Sequence, residues 1–147
     1  MKLQLLIILN LLLITNISFA QVDKAKSDTY FQKANVYFDQ DKYDIAILYC
    51  DSAIIANTDN LEAYTYRGVC KFSLKEYDSA IEDFDLALIL NPGYAEVYYY
   101  RGICKMELGA KDQACDDWYN AYNYGYKKVL SIIEDNCDLK DSKEKGK

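Results

Sequence analysis

The sequence contains no histidine among its 147 residues. This absence excludes Ser-His and Cys-His nucleophile pairs and zinc sites of the HExxH type. It also removes the commonest side-chain ligand of transition metals. We therefore expect no metal and no cofactor, and the sequence does not predict an enzyme.

Basic residues are fewer than acidic ones, and they form no concentrated stripe. The chain has 17 Lys and Arg against 23 Asp and Glu, a net charge of −6. Binding to a phosphate backbone depends on clustered cations. Nucleic acid and anionic membrane surfaces are thus poor candidate partners.

The N-terminal segment 1–20 has the pattern of a secretory signal peptide. Lys2 precedes an apolar run over 3–14, and small residues precede the expected cleavage after Ala20. A retained membrane anchor is the alternative, but the run is short for a span of about 20 apolar residues. We expect export to the periplasm, cell envelope or medium, with residues 21–26 as a short lead-in.

The rest of the chain repeats itself every 34 residues. The stretch LEAYTYRGVCK at 61–71 aligns with AEVYYYRGICK at 95–105, with seven of eleven positions identical. A further step back reaches SDTYFQKANVY at 27–37. The second half also recurs, because YDIAILYCDSA at 43–53 matches YDSAIEDFDLA at 77–87. Such a period is typical of stacked helical units.

This pattern resembles the tetratricopeptide repeat (TPR), a 34-residue helix–turn–helix unit. The resemblance gives repeats at 27–60, 61–94 and 95–128. The third diverges most, with Lys105 and Lys111 where the family has aromatic residues. It implies an all-α solenoid of three such units. The residues expected to pack the helices are Tyr30, Ala34, Ala46, Ala53, Tyr64, Gly68, Ala80, Phe84, Ala87, Pro92, Tyr98, Gly102, Ala114, Trp118 and Ala121.

A capping helix is expected at 126–137, where Val129, Leu130, Ile132 and Ile133 form an apolar stripe. It would cover the end of the stack, since one helical pair cannot bury its apolar face alone. The charged tail 138–147 has the composition of a disordered segment.

A concave groove is implied by the resemblance at repeat positions 5, 9 and 12. Its residues are Phe31, Asn35, Phe38, Thr65, Val69, Phe72, Tyr99, Ile103 and Met106. The stripe is mostly apolar or aromatic and has an acidic rim, as at a binding surface. Alternatively, a short stack buries this stripe against a loop or a second copy.

One TPR subclass grips a C-terminal carboxylate with Lys, Asn and Arg. Here only Asn35 matches, while Phe31, Val69, Tyr99 and Ile103 stand at the other four positions. We therefore expect no carboxylate clamp.

The tyrosine triplet 98–100 is expected to point in three directions, with Tyr98 in the core and Tyr99 toward the groove. Arg67 and Arg101 share repeat position 7. The sequence predicts that each pairs with a nearby carboxylate, and the alternative is contact with a partner's carboxylate.

Five cysteines remain after the expected cleavage. Cys70 and Cys104 share a repeat position, so they lie too far apart to pair and are expected to be buried thiols. Cys115 and Cys137 meet if the capping helix runs antiparallel to the preceding helix. Small exported bacterial TPR proteins, which the closing run resembles, also carry a cysteine pair there. A pair between Cys50 and Cys70 is a weaker alternative.

The resulting hypothesis is an exported TPR module that binds a segment of another protein. The alternative is a structural or self-associating subunit of an envelope assembly. A thiol enzyme is disfavoured by the lack of CxxC motifs and of histidine.

Overall fold

A computed structural model describes residues 23–137 of the chain. The predicted signal peptide, residues 21–22 and the charged tail 138–147 lie outside this range. Among the described residues every regular element is helical. No described helix is long and apolar enough to cross a membrane.

The helices follow one another at short intervals. Helix α1 covers 23–38, so residues 23–26 of the expected lead-in are already helical. The later helices are α2 (Tyr43–Ala56), α3 (Leu61–Ser73), α4 (Tyr77–Leu90), α5 (Ala95–Glu107) and α6 (Lys111–Asn123). The expected cap consists of a 3-10 turn, Lys127–Val129, followed by α7 (Leu130–Asn136). This is the all-α fold of a TPR solenoid with a C-terminal capping helix.

The described residues divide into two compact units, with the boundary between Ala63 and Tyr64. In the first unit, α1 and α2 meet through Ala34, Ala46 and Ala53, which are completely buried. The buried Ser27 hydroxyl donates a hydrogen bond to the Ala53 carbonyl at 2.8 Å. Small residues at these positions allow the two helices to approach closely.

Asn60 links this packing to the start of α3. Its Nδ2 donates to the Ser27 hydroxyl at 2.8 Å, and its Oδ1 accepts the Ala63 amide at 2.9 Å. The second contact is an N-cap, which satisfies an amide that the helix itself leaves unpaired.

In the second unit, glycines accommodate large rings. A Cβ on Gly68 would lie 2.7 Å from Phe84, and one on Gly102 would lie 2.5 Å from Trp118. The ring at repeat position 24 therefore occupies the space above the glycine at position 8.

In each repeat, the residue at position 15, in the turn between the two helices, has a left-handed backbone conformation. These residues are Asp41, Lys75 and Gly109, with φ of 57°, 64° and 79°. In each turn the next amide bonds back to a carbonyl in the last turn of the first helix, as in a Schellman motif. The shared geometry ends α1, α3 and α5 in the same way.

Candidate protein-interaction surface

In the second unit, the expected groove positions lie on α3 and α5. Val69, Phe72, Tyr99, Ile103 and Met106 are all half-buried, and we call these five residues the α3–α5 stripe. They retain accessible apolar surface without forming a fully exposed patch. They can therefore add contact area to a partner segment while remaining packed in the free protein.

Thr65 differs from the stripe because it is only 5% exposed. It lies on the same face of α3 as Val69 and Phe72, but its side chain offers little surface to a partner. In the first unit, Phe31, Asn35 and Phe38 are half-buried on α1. Phe38 packs edge-on against Tyr43 of α2, with ring centroids 5.7 Å apart.

An aromatic network underlies the α3–α5 stripe. Tyr100 contacts Phe72 edge-on at 5.9 Å and stacks on Phe84 at 6.2 Å. It also contacts Tyr99 at 5.2 Å. Tyr100 therefore packs on the neighbouring helices α3 and α4, and its ring also touches the ring of Tyr99. Tyr98 does stand apart and stacks on Tyr124 at 5.6 Å.

The capping segment covers one end of the stripe. Tyr99 packs against Tyr126 at 4.9 Å between centroids. Ile103 and Met106 pack against the buried cluster that includes Trp118 and Ile133. Burial raises the pKa of the Tyr99 hydroxyl above its ordinary value, and the neighbouring Tyr126 adds to the effect. The cap therefore narrows the surface that α5 offers to a partner.

All eleven packing residues predicted at positions 8, 20, 24 and 27 are buried. Cys50, at position 24 of the first repeat, is buried as well. Tyr30, Tyr64 and Tyr98 are only half-buried, and Pro92 is exposed in a turn. The Tyr98 hydroxyl donates to the Pro92 carbonyl at 3.1 Å. The tyrosines at repeat position 4 thus pack on the side of each helix pair and remain partly exposed.

Each of the second and third repeats contains a buried aspartate held by two cations, which we call an ion triad. In the third repeat, Asp117 is gripped by Arg101 through Nε at 2.9 Å and Nη2 at 2.6 Å. Lys105 Nζ lies 2.8 Å from the same carboxylate. Asp117 is 2% exposed. The planar guanidinium of the arginine donates two hydrogen bonds to the planar carboxylate, and this two-point geometry makes the contact specific.

The second repeat has the same arrangement. Arg67 Nε lies 3.0 Å from Asp83, and Lys71 Nζ lies 2.8 Å from it. The predicted pairing of Arg67 and Arg101 with internal carboxylates is therefore found in the structure. The role of the lysines was missed, because Lys105 was interpreted only as a departure from an aromatic consensus. The signal was present, since Arg-x3-Lys recurs with an Asp sixteen residues after the Arg in both repeats.

The three cysteines outside the disulfide are buried core residues. Cys50, Cys70 and Cys104 are completely inaccessible. Desolvation raises the pKa of the Cys70 and Cys104 thiols from 9.0 to about 12. Since the thiolate is the reactive form, these positions are chemically quiet at neutral pH.

Cys115 and Cys137 are joined by a disulfide in the structure, with Cα atoms 5.7 Å apart. The bond ties the start of α6 to the end of α7. No cluster of three or more potential metal ligands exists among residues 23–137.

Comparison with known proteins places this geometry in a family. Two sequence models of the tetratricopeptide repeat match residues 27–60 and 61–94. Among curated proteins, no relative matches the chain.

Several solved structures share the fold. The first TPR of Spaghetti (RPAP3) bound to the HSP90 peptide SRMEEVD is 27% identical, with a TM-score of 0.72, covering 76% of this chain and 93% of that one. The Arabidopsis OM64 TPR domain is 20% identical, with a TM-score of 0.74 and coverage of 77% and 94%. The Yersinia enterocolitica chaperone SycD in complex with a peptide of the translocator YopD is 14% identical, with a TM-score of 0.71 and coverage of 74% and 89%.

The protein is therefore an α-helical repeat protein of the protein-interaction class. More specifically, it belongs to the tetratricopeptide repeat family.

Proposed function

We propose that this chain is an exported TPR module that binds an extended or helical segment of another protein along the α3–α5 stripe. One observation carries the proposal: a TPR domain 27% identical to this chain has a bound peptide, SRMEEVD. The apolar, half-buried character of the stripe supports the same role here. Catalysis is not part of the proposal, because TPR domains act by holding other proteins.

The segment bound here differs from a peptide gripped by its C-terminal carboxylate. Val69, Tyr99 and Ile103 stand where the carboxylate-binding subclass has polar or basic residues. Glu96 and Glu107 flank the stripe on α5 and are exposed. A partner segment with apolar side chains and neighbouring Lys or Arg residues complements this acidic rim, because opposite charges favour association and fix the register of the complex.

Export is the second part of the proposal. The segment 1–20, which lies outside the described residues, has the composition of a signal peptide. The Cys115–Cys137 disulfide agrees with an oxidising compartment such as the periplasm or the cell exterior. Mass spectrometry of the protein recovered from the envelope should give an N-terminus at Gln21. An intact N-terminus at Met1 would reject export by cleavage.

Affinity purification from envelope extract tests the binding role. Phe72→Ala/Tyr99→Ala removes the two rings of the stripe and should lose the partner that the wild type retains. The matched control is Ile89→Ala/Tyr124→Ala, which removes an aliphatic and an aromatic side chain that are 74% and 52% exposed elsewhere in the unit. If the stripe variant keeps every partner while its helical content is unchanged, the stripe is not the binding surface.

A structural or self-associating role is the second candidate. It is favoured by the packing of Tyr126 and the capping cluster on Tyr99, Ile103 and Met106, which already occupies part of the surface. Light scattering after size-exclusion chromatography separates the two. A stable dimer whose interface contains Phe72 and Tyr99 would favour this second role over the first.

A further inference from the structure

The first repeat has aromatic rings where the others have an ion triad. Lys33, Tyr37 and Tyr49 occupy repeat positions 7, 11 and 23, which hold Arg, Lys and Asp in both later repeats. Tyr37 of α1 and Tyr49 of α2 stack with centroids 5.3 Å apart. Lys33 Nζ lies 5.7 Å from the Tyr49 ring centroid. The buried carboxylate that neutralises the cations of the later repeats is thus missing at this position.

These three residues line a cavity of about 590 Å³ in the first unit. Val36 and Lys42 also line it, and no carboxylate does. Lys42 Nζ donates to Gln40 at 2.8 Å, a neutral partner. No ion pair of Lys33 or Lys42 is found among the described residues. In a chain of net charge −6, this cavity is therefore a local site of uncompensated positive charge.

The cavity lies on a helix face that is covered in the third repeat. Its lining includes Thr29, Gln32, Lys33 and Val36, which correspond to Val97, Tyr100, Arg101 and Cys104 of α5. Helix α4 packs on that face of α5.

Helix α4 buries this face of α5, and an acidic side chain of α4 pairs with the arginine of α5. Val97 and Cys104 are completely buried, and Tyr100 stacks on Phe84 of α4. Arg101 Nη1 lies 2.5 Å from Asp85 of α4. No described helix precedes α1, and Val36 is 55% exposed where Cys104 is inaccessible.

Helix α2 adds aliphatic surface that is specific to the first repeat. Ile45 and Leu48 are 38% and 64% exposed. The later repeats have Ser or Gln and Glu or Asp at these positions. Ile45 lies one helical turn from Leu48 and from Tyr49 along α2. We call Lys33, Val36, Tyr37 and Tyr49 the first-repeat seam.

We propose that the first-repeat seam is a second docking surface, which takes an amphipathic helix of a partner protein that carries a carboxylate opposite Lys33. The partner helix covers α1 as α4 covers α5, with apolar side chains over Val36 and the tyrosine pair. The carboxylate of the partner helix lies next to Lys33, as the carboxylate of Asp85 lies next to Arg101. This surface is independent of the α3–α5 stripe and of the partner proposed for it.

The chain itself supplies a defined probe. A peptide with the α4 sequence, Tyr77–Leu90, is acidic and amphipathic, but a free 14-residue helix is marginal in water. A hydrocarbon staple replacing Glu82 and Leu86 fixes the helix, because both side chains are exposed and one turn apart. Binding to the purified chain is followed by amide shifts in NMR spectra and by fluorescence anisotropy of the labelled peptide.

We expect saturable binding, with shifts concentrated around Val36 and Tyr49. Lys33→Glu should lower the affinity for the peptide about tenfold or more, because it places the new glutamate against Asp85 of the peptide. The peptide variant Asp85→Lys should bind the wild-type chain as weakly as the unmodified peptide binds the Lys33→Glu chain. The two variants together should bind more tightly, because the charges at the contact are again opposite. Lys128→Glu, an exposed change of the same charge in the second unit, should leave affinity within about twofold.

Three results would overturn the proposal. One is no saturable binding up to about 1 mM peptide, the weak limit of specific association. Another is equal affinity for wild type and Lys33→Glu. The third is a dimer of the peptide-free chain that Lys33→Glu dissociates, which would assign the seam to a second copy of this protein.

Discussion

Arg101 and Asp117 form a two-pronged ion pair within the third repeat, with N–O distances of 2.9 Å and 2.6 Å. The remaining nitrogen of the same guanidinium, Nη1, reaches Asp85 on the preceding helix. One side chain therefore joins three helices, α4, α5 and α6. Arg67 and Asp83 repeat the intra-repeat part of this arrangement in the second repeat.

The two carboxylates on Arg101 should contribute very differently to stability. Asp117→Asn leaves Lys105 without its anion and Arg101 with only the exposed Asp85, and we expect a loss of about 2–3 kcal/mol in the free energy of unfolding. Asp85 is 52% exposed, so Asp85→Asn should cost no more than about 1 kcal/mol. Urea denaturation of both variants measures the difference. Equal losses would mean that burial of the pair is not what sets its contribution.

The glycine at repeat position 8 should not tolerate even a methyl group. Gly102→Ala places a Cβ 2.5 Å from Trp118 Nε1, which donates to the Tyr99 carbonyl at 3.3 Å. Overpacking of this kind costs about 1–3 kcal/mol, more than the helix propensity gained from Ala. Gly93→Ala is the control, because its nearest neighbour would be 3.6 Å away. A Gly102→Ala protein at least as stable as wild type in thermal melts would contradict the close packing.

The disulfide should stabilise the cap more than the rest of the chain. Reduction of Cys115–Cys137 is expected to lower the free energy of unfolding by about 2–4 kcal/mol. Amide exchange should then speed up first in α7, which is held to α6 by this bond and by Ile133. The Cys115→Ser/Cys137→Ser protein serves as the control, since reductant should not change its melt. An identical melt of wild type with and without reductant would show that the bond does not form or does not stabilise the cap.

Stability should fall at alkaline pH. Burial raises the pKa of Cys70 and Cys104 to about 12, against 9.0 ordinarily, so the folded protein keeps protons that the unfolded chain releases. The stabilisation is complete below about pH 9 and is lost as pH rises toward about 12. The partly buried hydroxyls of Tyr99 and Tyr100, whose pKa values are also raised by desolvation, act in the same direction.

Urea unfolding at several pH values measures this loss. Each thiol contributes a slope of about 1.4 kcal/mol per pH unit at most within the window. Cys70→Ala/Cys104→Ala should therefore give a shallower pH dependence than wild type, whatever its absolute stability. Parallel pH profiles for the two proteins would show that the thiols do not titrate differently on folding.

The helical fold could be predicted from the sequence because the 34-residue period repeats local packing rules. Gly102 and Trp118 have counterparts at the same spacing in the second repeat, so each position could be interpreted from its copy. The stripe residues could be placed on helices in the same way. Their degree of exposure could not, because it depends on contacts between segments far apart in sequence.

Three features escaped that reasoning for physical reasons. Lys105 was compared with an aromatic consensus, although its charge is matched by a buried aspartate twelve residues later. Tyr126 packs on Tyr99 because the cap folds back over α5, which the period alone does not describe. Thr65 is buried despite its groove position. Each outcome depends on the particular neighbours of the side chain and not on its repeat position.

Site-specific photo-crosslinking in intact cells tests the binding role most directly. A benzophenone side chain at Phe72 keeps an aromatic ring in the α3–α5 stripe, and the same group at Ile89 samples an exposed site outside it. We predict a crosslink from position 72 to one other protein, and little or none from position 89. Equal yields from both positions, or crosslinks from position 72 only to a second copy of this chain, would contradict the account.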